Sequence, residues 1–229
     1  MLSIVDVRIS LTNFNLRLRA RLAAGERVAV LGASGSGKST LLSLLAGFYW
    51  PDTGRILYNE ADISRLPVAE RPMSIVFQDG NLFPHLSVFD NVALGVQPEL
   101  TLTGQDRMQV DRALKQVGLS GMGTRRPRAL SGGQRSRVAL ARMLLRDKPI
   151  SLLDEPFAAL DPGLRAEMLV LLGDLCAARS LSLVLATHDL RDAERICNRL
   201  WFLDAGQVVF DAPIAGLRAN PPAMLRPWL

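Results

Sequence analysis

The chain has 229 residues, 48% of them hydrophobic, enough to bury a sizeable core as one large domain or a domain with an insertion. It has no run of about 18 apolar residues to cross a bilayer, and MLSIVDVRIS lacks the apolar run and cleavage site of a signal peptide, which points to a cytosolic chain. The net charge is +5 and 24 of the 27 basic residues are arginine, but they are scattered without interleaved aromatics, which argues against direct nucleic-acid binding.

The elements follow in chain order. FNLRLRARL, Phe14 to Leu22, alternates apolar residues with Asn15, Arg17, Arg19 and Arg21, the period of a strand with one wet face in an antiparallel layer. RVAVL, Arg27 to Leu31, predicts a short buried strand running into a glycine loop. A helix from Lys38 continues through Leu41, Leu42, Leu44 and Leu45 and ends at Gly47. GRILYN and MSIVF give two further strands. From about Leu82 to Lys148 the pattern is helical, with Val110, Ala113, Leu114 and Val117 on one helix face. ISLLD and LSLVLAT, separated by a helical stretch from Leu164 to Ala178, predict buried parallel strands linked by helices. WFLDAGQVVF predicts a hairpin turning at Ala205-Gly206. Cys176 and Cys197 show no metal-ligand or redox spacing and suit partly buried thiols. The fold class is therefore α/β: a parallel core and antiparallel layer (residues 1–81 and 149–229) with a helical insertion (82–148).

Two segments have the chemistry of a phosphate site. GASGSGKST, spanning Gly32, Ala33, Ser34, Gly35, Ser36, Gly37, Lys38, Ser39 and Thr40, matches the Walker A spacing. Its glycines free the backbone to wrap phosphates, Lys38 reaches the β- and γ-phosphates, and the Ser39 hydroxyl suits Mg²⁺. ALSGGQRSRVALAR offers a second helix start, with Ser131 as cap and Gly132 and Gly133 allowing close approach before Gln134. ISLLDEP ends an apolar strand in Asp154, suited to an indirect Mg²⁺ ligand, then Glu155, placed to take a proton from an attacking water. Gln78 and His188 also follow apolar strands, where parallel strand ends converge on a ligand crevice. Singly, either is as well explained as a strand-end cap.

In that order Walker A, Gln78, LSGGQ, LLDEP, Ala159-Leu160-Asp161 and His188 resemble the ATP-binding cassette family, over almost the whole chain. The resemblance implies a P-loop NTPase (RecA-like) core and ATP and Mg²⁺ as cofactors. It also implies a head-to-tail homodimer in which Ser131 to Gln134 serve the nucleotide held by the other chain. On it, Glu155 is the general base, His188 holds the γ-phosphate and water, Asp161 lies at the dimer contact, and Gln78 links the metal to a transport subunit. Phe14 is a candidate for stacking on adenine and equally suits the core side of its strand. A free single cassette implies an importer with integral-membrane permease subunits and a separate substrate-binding protein, at the cytoplasmic face of the inner membrane. GNLFPHLSVFDNVALG and LLDEPFAALDPGLR are most similar to the ATP-binding subunits of bacterial thiamine importers. An importer of another small solute and a non-transport mechanochemical ATPase remain the alternatives.

Overall fold

A computed structural model describes residues 1–228, which form two compact units. The first comprises Met1–Ile75, Pro149–Glu155 and Gly173–Leu229; the second comprises Val76–Lys148 and Pro156–Leu172. The elements in chain order are β1 (Leu2–Leu11), β2 (Phe14–Leu22), β3 (Arg27–Leu31), α1 (Lys38–Ala46), β4 (Thr53–Tyr58), β5 (Ala61–Asp62), β6 (Met73–Val76), α2 (Val88–Ala93), α3 (Gly104–Gln116), α4 (Gly132–Leu145), β7 (Ile150–Asp154), α5 (Pro162–Arg179), β8 (Ser182–Thr187), α6 (Leu190–Ile196), β9 (Arg199–Asp204) and β10 (Gln207–Pro213).

All ten strands belong to one sheet, in the order β5-β4-β1-β2-β10-β9-β3-β8-β7-β6. β3 lies between β8 and β9 and is parallel to both, and β7 is parallel to β8. β1, β2, β4 and β5 are joined by antiparallel pairing, and a short contact of Gln207 on β10 with Arg17 on β2 closes the seam. The antiparallel layer is therefore continuous with the parallel core. Their strands differ as their sequences do. Every residue of β8 is buried, whereas β2 buries Leu16, Leu18, Ala20 and Leu22 and leaves Arg17, Arg19 and Arg21 in solvent. Leucines 41, 42, 44 and 45 of α1 pack into the same apolar cluster as Val28, Leu152 and Val184.

Leu2–Leu11 form a full strand of ten residues, which their interrupted apolar pattern does not announce. The cause is a β-bulge between Ile4 and Val7, where Asp6 takes a positive φ of 46° and shifts the inward phase by one residue. A second feature hidden from composition is Arg71, fully buried in the first unit. Its guanidinium donates to the carbonyls of Leu45, Ser64 and Leu66 at 3.1, 2.9 and 3.0 Å. It thereby ties the last turn of α1, where carbonyls lack helical partners, to the segment after β5. Burial pushes its pKa below the usual arginine value, and the charge of Asp62 acts in the opposite sense.

In the second unit, α2, α3 and α4 each start on a side-chain cap. The Ser87 hydroxyl accepts from the Asp90 N–H, and Thr103 with Asp106 and Ser131 with Gln134 form capping boxes. Asn91, fully buried on α2, accepts from the Phe83 N–H and donates to the carbonyls of Phe83, Leu86 and Ser87. One side chain thus fixes the loop before α2, leaving Phe83 exposed and edge-on to His85. The first turns of α5 pack on α4: a Cβ at Gly133 would run into the Leu164 side chain, and Arg137 pairs with Glu167 at 3.4 Å. Among the described residues no helix is long and apolar enough to cross a membrane.

Candidate functional site

The loop from Gly32 to Gly37 joins β3 to α1, and its conformation demands glycine at particular places. Gly35 and Gly37 have φ of 78° and 103°, in the left-handed region that side chains disfavour. A Cβ at Gly32 would strike the Leu203 carbonyl, and one at Gly37 would strike the ring of Phe14. Gly37 caps α1 with no side-chain hydrogen bond and the first turn carries no acidic residue, so the first N–H groups of the helix stay available to an anion. The buried Ser36 hydroxyl has no hydrogen-bond partner.

Lys38 lies at the centre of this loop. It is 7% exposed, and its ammonium donates to the carbonyls of Gly32 and Ala33 at 2.8 and 3.1 Å. It also lies 3.8 Å from Glu155 Oε1. Strand β7 supplies the acidic groups. The Ser39 hydroxyl hydrogen-bonds the Asp154 carboxylate, whose pKa burial raises against that bond. Glu155 takes a φ of 44° and its N–H donates to the Ala186 carbonyl at 3.0 Å, turning the chain sharply at the strand end. A side chain held there costs on the order of 1 kcal/mol, tolerated where the surrounding structure over-determines it.

The turn after β8 completes the group. His188 Nδ1 lies 2.9 Å from Glu155 Oε2, so the imidazole and Lys38 take one carboxylate oxygen each. Thr187 is buried: its hydroxyl accepts from the Asp189 N–H and donates to the Asp192 carboxylate at 3.4 Å. Sequence reasoning gave no role to Thr187 or Asp192; the signal available was a polar pair flanking a strand-end histidine. The first unit thus brings together Lys38, Ser39, Asp154, Glu155 and His188 around the glycine loop. Phe14 is half-buried, its ring against Gly37 and packed on the apolar core.

The remaining sequence-selected residues lie in the second unit. Ser131 caps α4, accepting from the Gln134 N–H at 3.3 Å, while Gln134 Oε1 accepts from the Ser131 N–H at 3.0 Å. Asp161 caps α5 by accepting from the Leu164 N–H at 3.0 Å. Gln78 is exposed in a turn, Phe77 to Gly80, closed by the Gly80 N–H on the Phe77 carbonyl at 2.9 Å. A neighbour the sequence does not flag is Arg142 on α4, which donates to the carbonyls of Gly80 and Asn81 at 2.7 and 2.9 Å. Burial and the charge of Arg146 lower its pKa. Beside the loop before α2, a cleft of about 780 Å³ is floored by Phe89 and Leu114 and edged by Asp111 and Lys115.

The donor chemistry fits a Mg²⁺–triphosphate. Mg²⁺ takes oxygen ligands, typically one or two protein groups completed by phosphate and water, and Ser39 with Asp154 supply such a pair. No group of three or more His, Cys, Asp or Glu side chains that could hold a metal ion occurs among the described residues.

The chain is similar to several known proteins. The family described as ABC transporter matches residues 16–158, more than half of the chain. The chain is 62% identical to the thiamine import ATP-binding protein ThiQ of Jannaschia sp., covering 100% of both proteins. It is 48% identical to the protein of the same name from Cereibacter sphaeroides, covering 100% of this chain and 99% of that one. Among solved structures, cbiO1 from Clostridium perfringens, part of the ABC transporter complex cbiONQ, matches with a TM-score of 0.85 at 30% identity, over 96% of this chain and 90% of that one. The dimeric post-hydrolysis state of the ATP-binding cassette MJ0796 bound to ADP and Pi matches with a TM-score of 0.81 at 28% identity, over 94% and 100%. With a family match across both the glycine loop and the Asp154-Glu155 strand, and with full-length relatives at this identity, the chain belongs to the ABC transporter family as one of its ATP-hydrolysing cassettes.

Proposed function

We propose that this chain hydrolyses ATP to drive a thiamine importer, working as a homodimer on separate integral-membrane permease subunits at the cytoplasmic face of the inner membrane. A separate substrate-binding protein delivers the cargo. The observation that carries the ATPase chemistry is the convergence of Lys38, Asp154, Glu155 and His188 on one glycine loop. Similarity over the full length to a thiamine import ATP-binding protein supports the cargo.

In this reading the N–H groups of Gly35 to Thr40 and the Lys38 ammonium hold the β- and γ-phosphates, and Lys38 exchanges its two carbonyl contacts for phosphate oxygens. Ser39 and Asp154 hold Mg²⁺, assisted by Gln78; the ion supplies neutralisation of charge on the phosphate oxygens. Glu155 accepts the proton of the water that attacks the γ-phosphorus in line, as the bond to the ADP oxygen breaks. His188, already hydrogen-bonded to Glu155, steadies the γ-phosphate and the water.

The homodimer explains two helix starts of different design, since Ser131 to Gln134 complete the site of the other subunit. The dimeric cassette among the structural relatives supports it. The exposed Phe83, its backbone held by the buried Asn91, and the cleft lined by Phe89 and Leu114 suit contact with a membrane subunit. The test is uptake of labelled thiamine by cells carrying this chain or its Lys38→Ala form. Selective loss of thiamine uptake is expected. Unchanged uptake, with the variant expressed and no second importer present, discards thiamine as the cargo.

A further inference from the structure

Two observations meet on α4. Its first turn carries Ser131 to Gln134, and three turns later the same helix grips the turn that bears Gln78. The grip has two parts, three residues apart on one helix face. A Cβ added to Gly80, at φ 70°, would sit 3.4 Å from the Ala139 Cβ, so the turn lies directly on the helix. Arg142 then clamps it from the side, donating to two successive carbonyls, Gly80 at 2.7 Å and Asn81 at 2.9 Å. The helix backbone is held in turn at that point, because a Cβ at Gly95 would lie 2.5 Å from the Arg142 carbonyl. Guanidinium geometry matters here. Its fork reaches both carbonyls at once, which a lysine ammonium on a flexible stem does not reproduce.

We propose that Arg142 is a positioning residue that locks the Gln78 turn to α4, so that the two move as one body during ATP hydrolysis. The proposal rests on the reading of Gln78 and of Ser131 to Gln134 given above. A ligand that draws on the start of α4 thereby also shifts Gln78, through one helix and one side chain.

The test is a double-mutant cycle on the full-length protein, Arg142→Lys and Gln78→Ala singly and together, with steady-state ATPase and hydrogen–deuterium exchange as readouts. Arg142→Lys is expected to lower kcat by up to about 10²-fold, the scale for a group misplaced by about 1 Å in an active site, with KM for ATP within about twofold. That loss vanishes when Gln78 is already alanine, since Arg142 acts through Gln78. Amide exchange rises at residues 77–82 and stays unchanged at Gly32 to Thr40. Arg142→Gln, which still donates through one amide, replaces the lysine variant if melting shows that variant to be unfolded. Unchanged exchange at 77–82, or an Arg142 effect of equal size in both backgrounds, overturns the proposal. If exchange rises but neither single variant changes kcat, the clamp stands, and the reading of Gln78, with it any part in hydrolysis for the clamp, is what fails.

Discussion

The protein starts two helices where phosphate chemistry is expected, and it starts them in opposite ways. α1 begins on Gly37 with no capping side chain, and its loop holds an unpartnered serine hydroxyl and a buried ammonium bonded only to carbonyls, 3.8 Å from Glu155. α4 begins on Ser131 inside a capping box, which answers the N–H groups of Ser131 and Gln134 from its own chain. The first start has no side-chain cap, and the second has two of its N–H groups closed by its own side chains. A site that must wrap a ligand leaves its donors free and accepts the cost. One that presents a surface to a ligand held elsewhere keeps its own helix stable without it.

This contrast breaks most sharply at chemistry. Replacing Glu155 by Gln is expected to lower ATP turnover by about 10²- to 10⁴-fold while leaving nucleotide binding intact. Light scattering of that variant is expected to show a dimer only when ATP is present; a monomer under all conditions removes the shared-site reading. Next comes complementation. Lys38→Ala and Ser131→Arg chains are each expected to be inactive alone and to regain activity when mixed, because a mixed dimer contains one site with both halves intact. No recovery in assembled mixed dimers would place both segments at the same nucleotide.

Two smaller effects separate the helix starts by stability. The Asp154 carboxyl has its pKa raised by burial, so it holds its proton more tightly folded than unfolded, and its ionisation weakens the fold as pH climbs. Asp154→Asn is therefore expected to raise the melting midpoint of the nucleotide-free protein at neutral pH. The gain shrinks towards about pH 4, the ordinary carboxylate range, while ATPase activity is lost. Ser131→Ala removes a cap and is expected to cost about 1 kcal/mol, a fall of ~2–4 °C in melting temperature for a chain of this size. α1 offers no such side chain to remove.

How much of this was legible beforehand depended on whether the signal was local. α1 begins at Lys38 and ends at Gly47 as its sequence predicts, since glycine punctuation and the leucine pattern are read within one helix. The buried strands β3, β7 and β8 were equally plain, because continuous apolar runs need no partner to be recognised. β1 was obscured because a bulge breaks the alternation on which recognition depends. α6 was missed too: its seven residues are too few for a period to emerge. The strand order, with β3 inserted between β8 and β9, is a long-range property and left no local trace.

The site divides along the same line. Its glycines, Lys38, Asp154 and Glu155 sit in motifs whose spacing carries their meaning. The meeting of His188 with Glu155, 33 positions apart, depends on β7 and β8 being neighbours in parallel register. Arg71, Asn91 and Arg142 escaped notice for a common reason. Each is a polar residue whose work is to satisfy backbone groups, and composition treats such residues as surface.

Arg71 has a consequence for how the molecule responds to salt. The network of Arg199 with Glu26 and Asp211 is a set of partly exposed ion pairs, which dissolved salt screens. Arg71 is held by three carbonyls in the interior of the first unit, where screening is weak. Salt is therefore expected to weaken the tie of β9 to β10 while leaving the hold of Arg71 on the end of α1 in place.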